Sequence, residues 1–193
     1  MHGSTLNDGQ APAGVAIGQT WAVRYLTVVR HAKSTPAEPG SSDIERGLSD
    51  HGLAQCRQLR AWALDPDALG RYGPVTALVS AAARTRATFE RAFEGLSFVT
   101  AVEFSARIYN GRREVTAQDL LRDLAAIDPV TSSVLVVAHN PTVLELLLEI
   151  AERVPKSLRK GHYPLGGAYV LSLPDDRTVG LERYEILDSF VPD

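Results

Sequence analysis

Short apolar runs alternate along this chain with longer stretches in which apolar residues return every three or four positions. Six runs have the length and β-branched content of strands: RYLTVVR (24–30), PVTALVS (74–80), LSFVTAVEF (96–104), SSVLVVAH (132–139), GAYVLSL (167–173) and VGLERYEI (179–186). The stretches between them read as amphipathic helices. SDHGLAQCRQLRAWAL starts on Ser49 or Asp50, and AARTRATFERAFEG stops at Gly95. In VTAQDLLRDLAAID, Thr116 and Asp119 occupy capping-box positions. In NPTVLELLLEIAERV, Asn140 suits the N-cap and Pro141 the first turn, and LELLLEI reads as a buried helix face.

Apolar strands alternating with helices predict a three-layer α/β/α sandwich around a mostly parallel central sheet. The last two strands, joined across PDDRT, predict an edge hairpin. No repeat, low-complexity block or linker interrupts the chain after its start, so residues 22–193 are expected to form one domain. Residues 1–21, rich in Gly, Ala, Pro and polar side chains, are expected to be a flexible N-terminal tail. They lack the basic and apolar regions of a signal peptide.

Composition narrows the function classes. The 193 residues carry a net charge of −3, so no basic footprint for nucleic acid or polybasic membrane anchor is present. No apolar run approaches the ~20 residues of a membrane span. The single cysteine, Cys56, excludes an intrachain disulfide and fits a reducing cytoplasm. It falls within a helical pattern, which points to packing rather than nucleophilic chemistry. An anionic ligand would have to be held by a local arginine cluster, not by the field of the whole molecule.

Such a cluster is visible at the strand ends, where α/β sheets gather ligands. The first strand ends in Arg30 and His31, the second in Ser80 with Arg84 four residues on, and the fourth in His139 before a helix. Two arginines, two histidines and a helix N-terminus suit a phosphoryl group, since a planar guanidinium can hold two of its oxygens. A metal site fits poorly: no HExxH or CxxC occurs, neither histidine has an adjacent carboxylate, and arginines repel a cation. The GxSxG elbow of a serine hydrolase and the GxxxxGK[ST] loop of a nucleotide-driven phosphotransferase are also absent.

Four segments, in order between Tyr25 and Glu149, carry a family resemblance. VVRHAKS resembles the RHG-type signature of the histidine phosphatase superfamily, in the form used by its phosphohistidine phosphatase (SixA-like) branch. ERGLSDHG is similar to that branch's R-P-L-T/S-x-x-G element, LVSAAARTRATFE to its S-P-x-x-R segment, and VLVVAHNPTV to its second-histidine segment. The resemblance implies a phosphoglycerate-mutase-like fold and a phosphatase working through a phosphohistidine intermediate without a metal or other cofactor. His31 would be the nucleophile, Arg30 and Arg84 the clamp on the phosphoryl oxygens, His139 a second catalytic histidine bonding the phosphoryl group, and Arg46 a further phosphate contact. The implied substrate is a phosphohistidine-bearing protein; the alternatives are small phosphomonoesters or a non-catalytic phosphate-binding module.

The chain departs from the family pattern at three places. Ala32 replaces the usual Gly, Gly47 replaces the Pro of the R-P-L element, and no clear leaving-group acid follows the third strand. Arg107 falls near that position, with Glu103 and Glu114 flanking it. A missing acid favours phosphohistidine, whose leaving nitrogen can already be protonated, over sugar or glycerate phosphates. Outside the motifs, His51 reads as a first-turn helix residue, His162 as a loop packing residue and His2 as part of the tail. Arg86 and Arg91 read as solvated helix residues. The basic run of Lys156, Arg159 and Lys160 reads as a solvated loop, with an entrance for an acidic partner as its functional alternative.

Overall fold

A computed structural model describes residues 25–111, 113–127, 131–172 and 183–193. Strands β1 (Tyr25–Arg30), β2 (Val75–Ser80), β3 (Val99–Ser105), β4 (Ser133–Ala138), β5 (Ala168–Ser172) and β6 (Glu185–Phe190) form one sheet in the order β3-β2-β4-β1-β5-β6. The pairs β3–β2, β2–β4 and β4–β1 are parallel, and β1–β5 and β5–β6 are antiparallel. β4 lies inside the sheet and all six of its residues are buried, which is why SVLVVA is apolar throughout. β3 forms an edge, and most of its residues reach solvent.

Alternation along the strands sorts their side chains into two cores. Leu26, Val28, Leu78, Val134 and Val136 pack with Leu120 and Leu124 of helix α3 (Ala117–Ala125) and with Val143, Leu146, Leu147 and Ile150 of α4 (Thr142–Ile150). Val29, Ala77, Val79, Leu135 and Val137 pack with Leu59 and Ala63 of α1 (Asp50–Ala63) and with Phe89, Ala92 and Phe93 at α2 (Ala83–Ala92). Helices thus cover both faces of a mostly parallel sheet, as the hydrophobic pattern predicts. In LELLLEI, Leu146, Leu147 and Ile150 are buried while Leu148 is exposed, and Thr116 and Asp119 form the expected reciprocal capping box.

The structure corrects several boundaries. β6 begins at Glu185, where the predicted strand nearly ends, and runs on through Asp188 and Ser189. Asp188 accepts a hydrogen bond from the Trp62 indole at 3.3 Å, so a polar residue sits in a strand position without a lone carboxylate beneath it. α2 ends at Ala92, and Gly95 takes a positive φ of 75° just beyond. α4 starts at Thr142 after Pro141, and Asn140 provides no cap. A one-turn helix, α5 (Lys156–Arg159), carries most of the basic run. The predicted N-terminal tail and the PDDRT turn lie outside the described residues.

Candidate active site

β1, β2 and β4 are parallel and in register, so their carboxyl ends meet. β4 lies between the other two, placing His139 with Arg30 and His31 on one side and Ser80 on the other. The His31 N–H donates to the Ala138 carbonyl at 3.1 Å, carrying the β1–β4 ladder one residue past the strand. Arg84 enters from the first turn of α2. Arg46 enters from a loop closed at its neck, where Ser34 pairs with Leu48 and the Thr35 N–H donates to Gly47 O at 3.0 Å.

The segment after His31 is held by both neighbouring helices. Ala32 N–H donates to Thr88 Oγ1 at 3.0 Å, and Thr88 Oγ1 donates to the Arg84 carbonyl at 2.7 Å. Ser49, the N-cap of α1, donates from both its N–H and its hydroxyl to the Lys33 carbonyl. α1 comes so near that a Cβ on Gly52 would stand 2.0 Å from Lys33 O, which explains the glycine three residues after Ser49. Ala32 needs no positive φ and is fully buried, so the substitution for the usual glycine is accommodated.

Both histidines are buried, and their ring centroids lie 5.1 Å apart. His31 Nδ1 is 2.8 Å from the Ala32 carbonyl, which can only accept; the neutral ring therefore carries its proton on Nδ1 and a lone pair on Nε2. Burial lowers the His31 pKa to about 4; the Ala32 carbonyl opposes this, while Arg84, Arg30 and Arg46 reinforce it. Burial, with His31 and Arg84 beside it, lowers that of His139 to about 2 against the opposing pull of Asp43. At neutral pH both rings are uncharged. His139 Nε2 meets Ser80 Oγ at 2.8 Å, and the edge of the ring faces Tyr109.

The arginines are held by groups that leave the buried Nε of Arg30 and of Arg84 without a partner among the described residues. Arg30 donates from NH1 to Tyr163 O at 2.5 Å, and Arg84 donates from NH1 and NH2 to the backbone and carboxylate oxygens of Asp43. Arg46 bonds the same carboxylate through Nε at 2.8 Å, with NH1 on Thr35 O at 3.0 Å. The Tyr109 hydroxyl donates to Asp43 Oδ2 at 2.8 Å. Partial burial pushes the Asp43 carboxyl up, but Tyr109, Arg84 and Arg46 outweigh it and hold the group down at about 2. Among the described residues, the buried side-chain polar atoms without a partner are Arg30 Nε, Arg84 Nε, His139 Nδ1 and Asn140 Oδ1. All four belong to this cluster or adjoin it.

No protein-family model and no curated protein sequence matches the chain. Solved structures do. A chain from Agrobacterium tumefaciens assigned as the phosphohistidine phosphatase SixA is 28% identical, with a TM-score of 0.69 over 88% of this chain and 99% of that one. The chain has the histidine phosphatase fold. A protein histidine phosphatase SixA solved with tungstate superposes on this histidine phosphatase fold with a TM-score of 0.66, at 18% identity, over 87% of this chain and 97% of that one. An Escherichia coli chain assigned as an alpha-ribazole-5′-P phosphatase gives 0.57 at 12% identity, over 85% and 99%.

On this histidine phosphatase fold the five predicted site residues, Arg30, His31, Arg46, Arg84 and His139, come together. Arg107, Glu103 and Glu114 do not join them: Arg107 is exposed and pairs with Asp123 at 3.4 Å, Glu103 is exposed on the edge strand and Glu114 is exposed. His162 is exposed rather than packed, and its neighbour Tyr163 is the buried residue. Sequence reasoning missed Asp43, Tyr109 and the role of Ser80 as a ring partner. The Asp43–Arg46 spacing of three was a signal for an ion pair, but nothing in the sequence tied that pair to Arg84.

Proposed function

We propose that this protein is a phosphatase that takes a phosphoryl group onto His31 Nε2 and passes it to water, with phosphohistidine in proteins as its substrate class. The observation that carries the reading is the convergence of Arg30, Arg84 and His139 on a neutral His31 whose tautomer leaves Nε2 unprotonated, with Arg30 Nε, Arg84 Nε and His139 Nδ1 lacking partners among the described residues. Guanidinium N–H groups fixed in place before reaction suit the oxygens of a transferring phosphoryl group, whose charge shifts but does not vanish in the transition state. Arg46 would contribute positive potential at the rim.

In the first step the His31 Nε2 lone pair bonds to phosphorus as the bond from phosphorus to the substrate's ring nitrogen breaks. A phosphohistidine protonated on its other nitrogen releases neutral imidazole, so no acid is required. In the second step water bonds to phosphorus, the His31–phosphorus bond breaks, and the water's proton goes to phosphate or solvent. The Nδ1–H held by Ala32 O lets His31 leave as neutral imidazole too. No step is routed through a metal; the arginines supply the positive charge.

The carboxylate bonded to the site arginines is Asp43, and at a pKa of about 2 it is ionised and has no proton to give an alkoxide. This supports a phosphoramidate over a sugar phosphate. The A. tumefaciens neighbour assigned as SixA supports the same substrate class, and a single buried cysteine supports a cytoplasmic setting. The test is turnover of a phosphohistidine peptide beside p-nitrophenyl phosphate and a sugar phosphate, with His31→Ala as control. Turnover of the peptide, weak turnover of the sugar phosphate and an acid-labile phosphoenzyme lost in His31→Ala are expected. Tungstate binding without any turnover would overturn the reaction in favour of a binding module.

A further inference from the structure

We infer that Ser80 is a positioning residue that sets the tautomer of His139, so that this ring presents an N–H, and not a lone pair, to the phosphoryl group. The inference rests on the proposed phosphoryl site. Ser80 is the last residue of β2 and is fully buried. Its hydroxyl has His139 Nε2, at 2.8 Å, as its partner among the described residues. Its backbone carbonyl is occupied separately, by the Thr85 hydroxyl at 2.7 Å.

A buried hydroxyl proton needs an acceptor, and the ring nitrogen beside it is the group available. If Ser80 O–H donates to Nε2, that nitrogen carries the lone pair and the neutral ring's proton must sit on Nδ1. Nδ1 is the ring atom left without a protein partner. The opposite tautomer would waste the hydroxyl proton and aim a lone pair at an oxyanion.

The two histidines then acquire complementary roles from their neighbours. Each carries its proton on Nδ1, but the partners occupy opposite nitrogens. Ala32 O covers His31 Nδ1 and leaves Nε2 as the nucleophile, whereas Ser80 covers His139 Nε2 and leaves Nδ1–H as the donor. Since burial keeps His139 uncharged, the tautomer decides whether it attracts or repels the substrate.

The measurement is the imidazole nitrogen NMR spectrum of the free protein, with the His139 signals assigned by their loss in His139→Gln. A protonated Nδ1 and a bare Nε2 are expected; a proton on Nε2 overturns the inference whatever the protein turns over. In Ser80→Ala the ring should populate both tautomers, and kcat should fall roughly 10- to 100-fold with KM little changed, a smaller loss than removing an oxyanion donor outright. Ser80→Thr, which keeps the hydroxyl on a β-branched residue suited to a strand, should restore both the spectrum and the rate. An unchanged spectrum and rate in Ser80→Ala would overturn the assignment. Absence of turnover with the proton on Nδ1 would strike at the proposed reaction and leave the Ser80 assignment standing.

Discussion

At the scale of single residues, the site works by withholding partners as much as by supplying them. His31 spends its Nδ1–H on a neighbouring carbonyl and keeps Nε2 bare, while burial and three arginines keep it uncharged. A proton NMR titration of His31 should therefore give a midpoint near 4. A midpoint near the ordinary 6.5 would mean the ring is half charged at mildly acidic pH and a poor nucleophile there. Arg84 is the least replaceable of the cations, because it reaches Asp43 with two nitrogens and retains Nε. A lysine has one nitrogen and no fork. Arg84→Lys should cost at least about 100-fold in kcat/KM, near 3 kcal/mol of transition-state stabilisation, when assayed on the phosphohistidine peptide.

At the scale of elements, short polar links convert strand ends and helix starts into one rigid floor. Thr88 is the clearest of them, accepting from Ala32 N–H and donating to Arg84 O from one hydroxyl. Thr88→Val keeps the shape and leaves the buried Ala32 N–H without an acceptor. A destabilisation of about 1–3 kcal/mol is expected by urea unfolding, with turnover lowered because both His31 and Arg84 lose a common brace. The strands and helices that make this floor were largely legible in the sequence, since buried central strands read as unbroken apolar runs and helices as amphipathic ones. β6 was misplaced because Asp188 and Ser189 look like turn residues until the Trp62 side chain, more than a hundred positions away, is known to meet Asp188. That Arg30, His31, Arg46, Arg84 and His139 would lie together was legible through motif order. Asp43, Tyr109 and the Ser80–His139 bond were not, because each depends on contacts between distant segments.

At the scale of the whole molecule, burying two neutral histidines side by side ties stability to pH. The unfolded chain protonates them as pH falls below 6.5, while native His31 resists until about 4 and native His139 until about 2. Over that interval the unfolded state binds more protons, so stability is intact above 6.5 and declines as pH falls. Each ring adds a slope of at most about 1.4 kcal/mol per pH unit. Unfolding free energy measured between pH 7 and 4.5 should fall steeply, and replacing both rings by glutamine should flatten the curve. An unchanged slope in that double variant would place the acid sensitivity elsewhere. Among the described residues no helix is long and apolar enough to cross a membrane.

The closed neck of the loop bearing Asp43 and Arg46 separates two evolutionary problems. Ser34–Leu48 pairing and the Thr35–Gly47 hydrogen bond hold the loop's ends together, and its exposed crest, residues 36–42, hangs outside them. The crest can be exchanged like a cartridge while His31 stays at the end of β1 and Arg84 on α2. Replacing residues 36–42 with a Gly/Ser stretch of equal length should leave p-nitrophenyl phosphate turnover within about twofold and alter discrimination among peptide substrates, because surface substitutions away from packed groups act weakly. New preferences could thus be selected at the doorway without reopening the chemistry behind it.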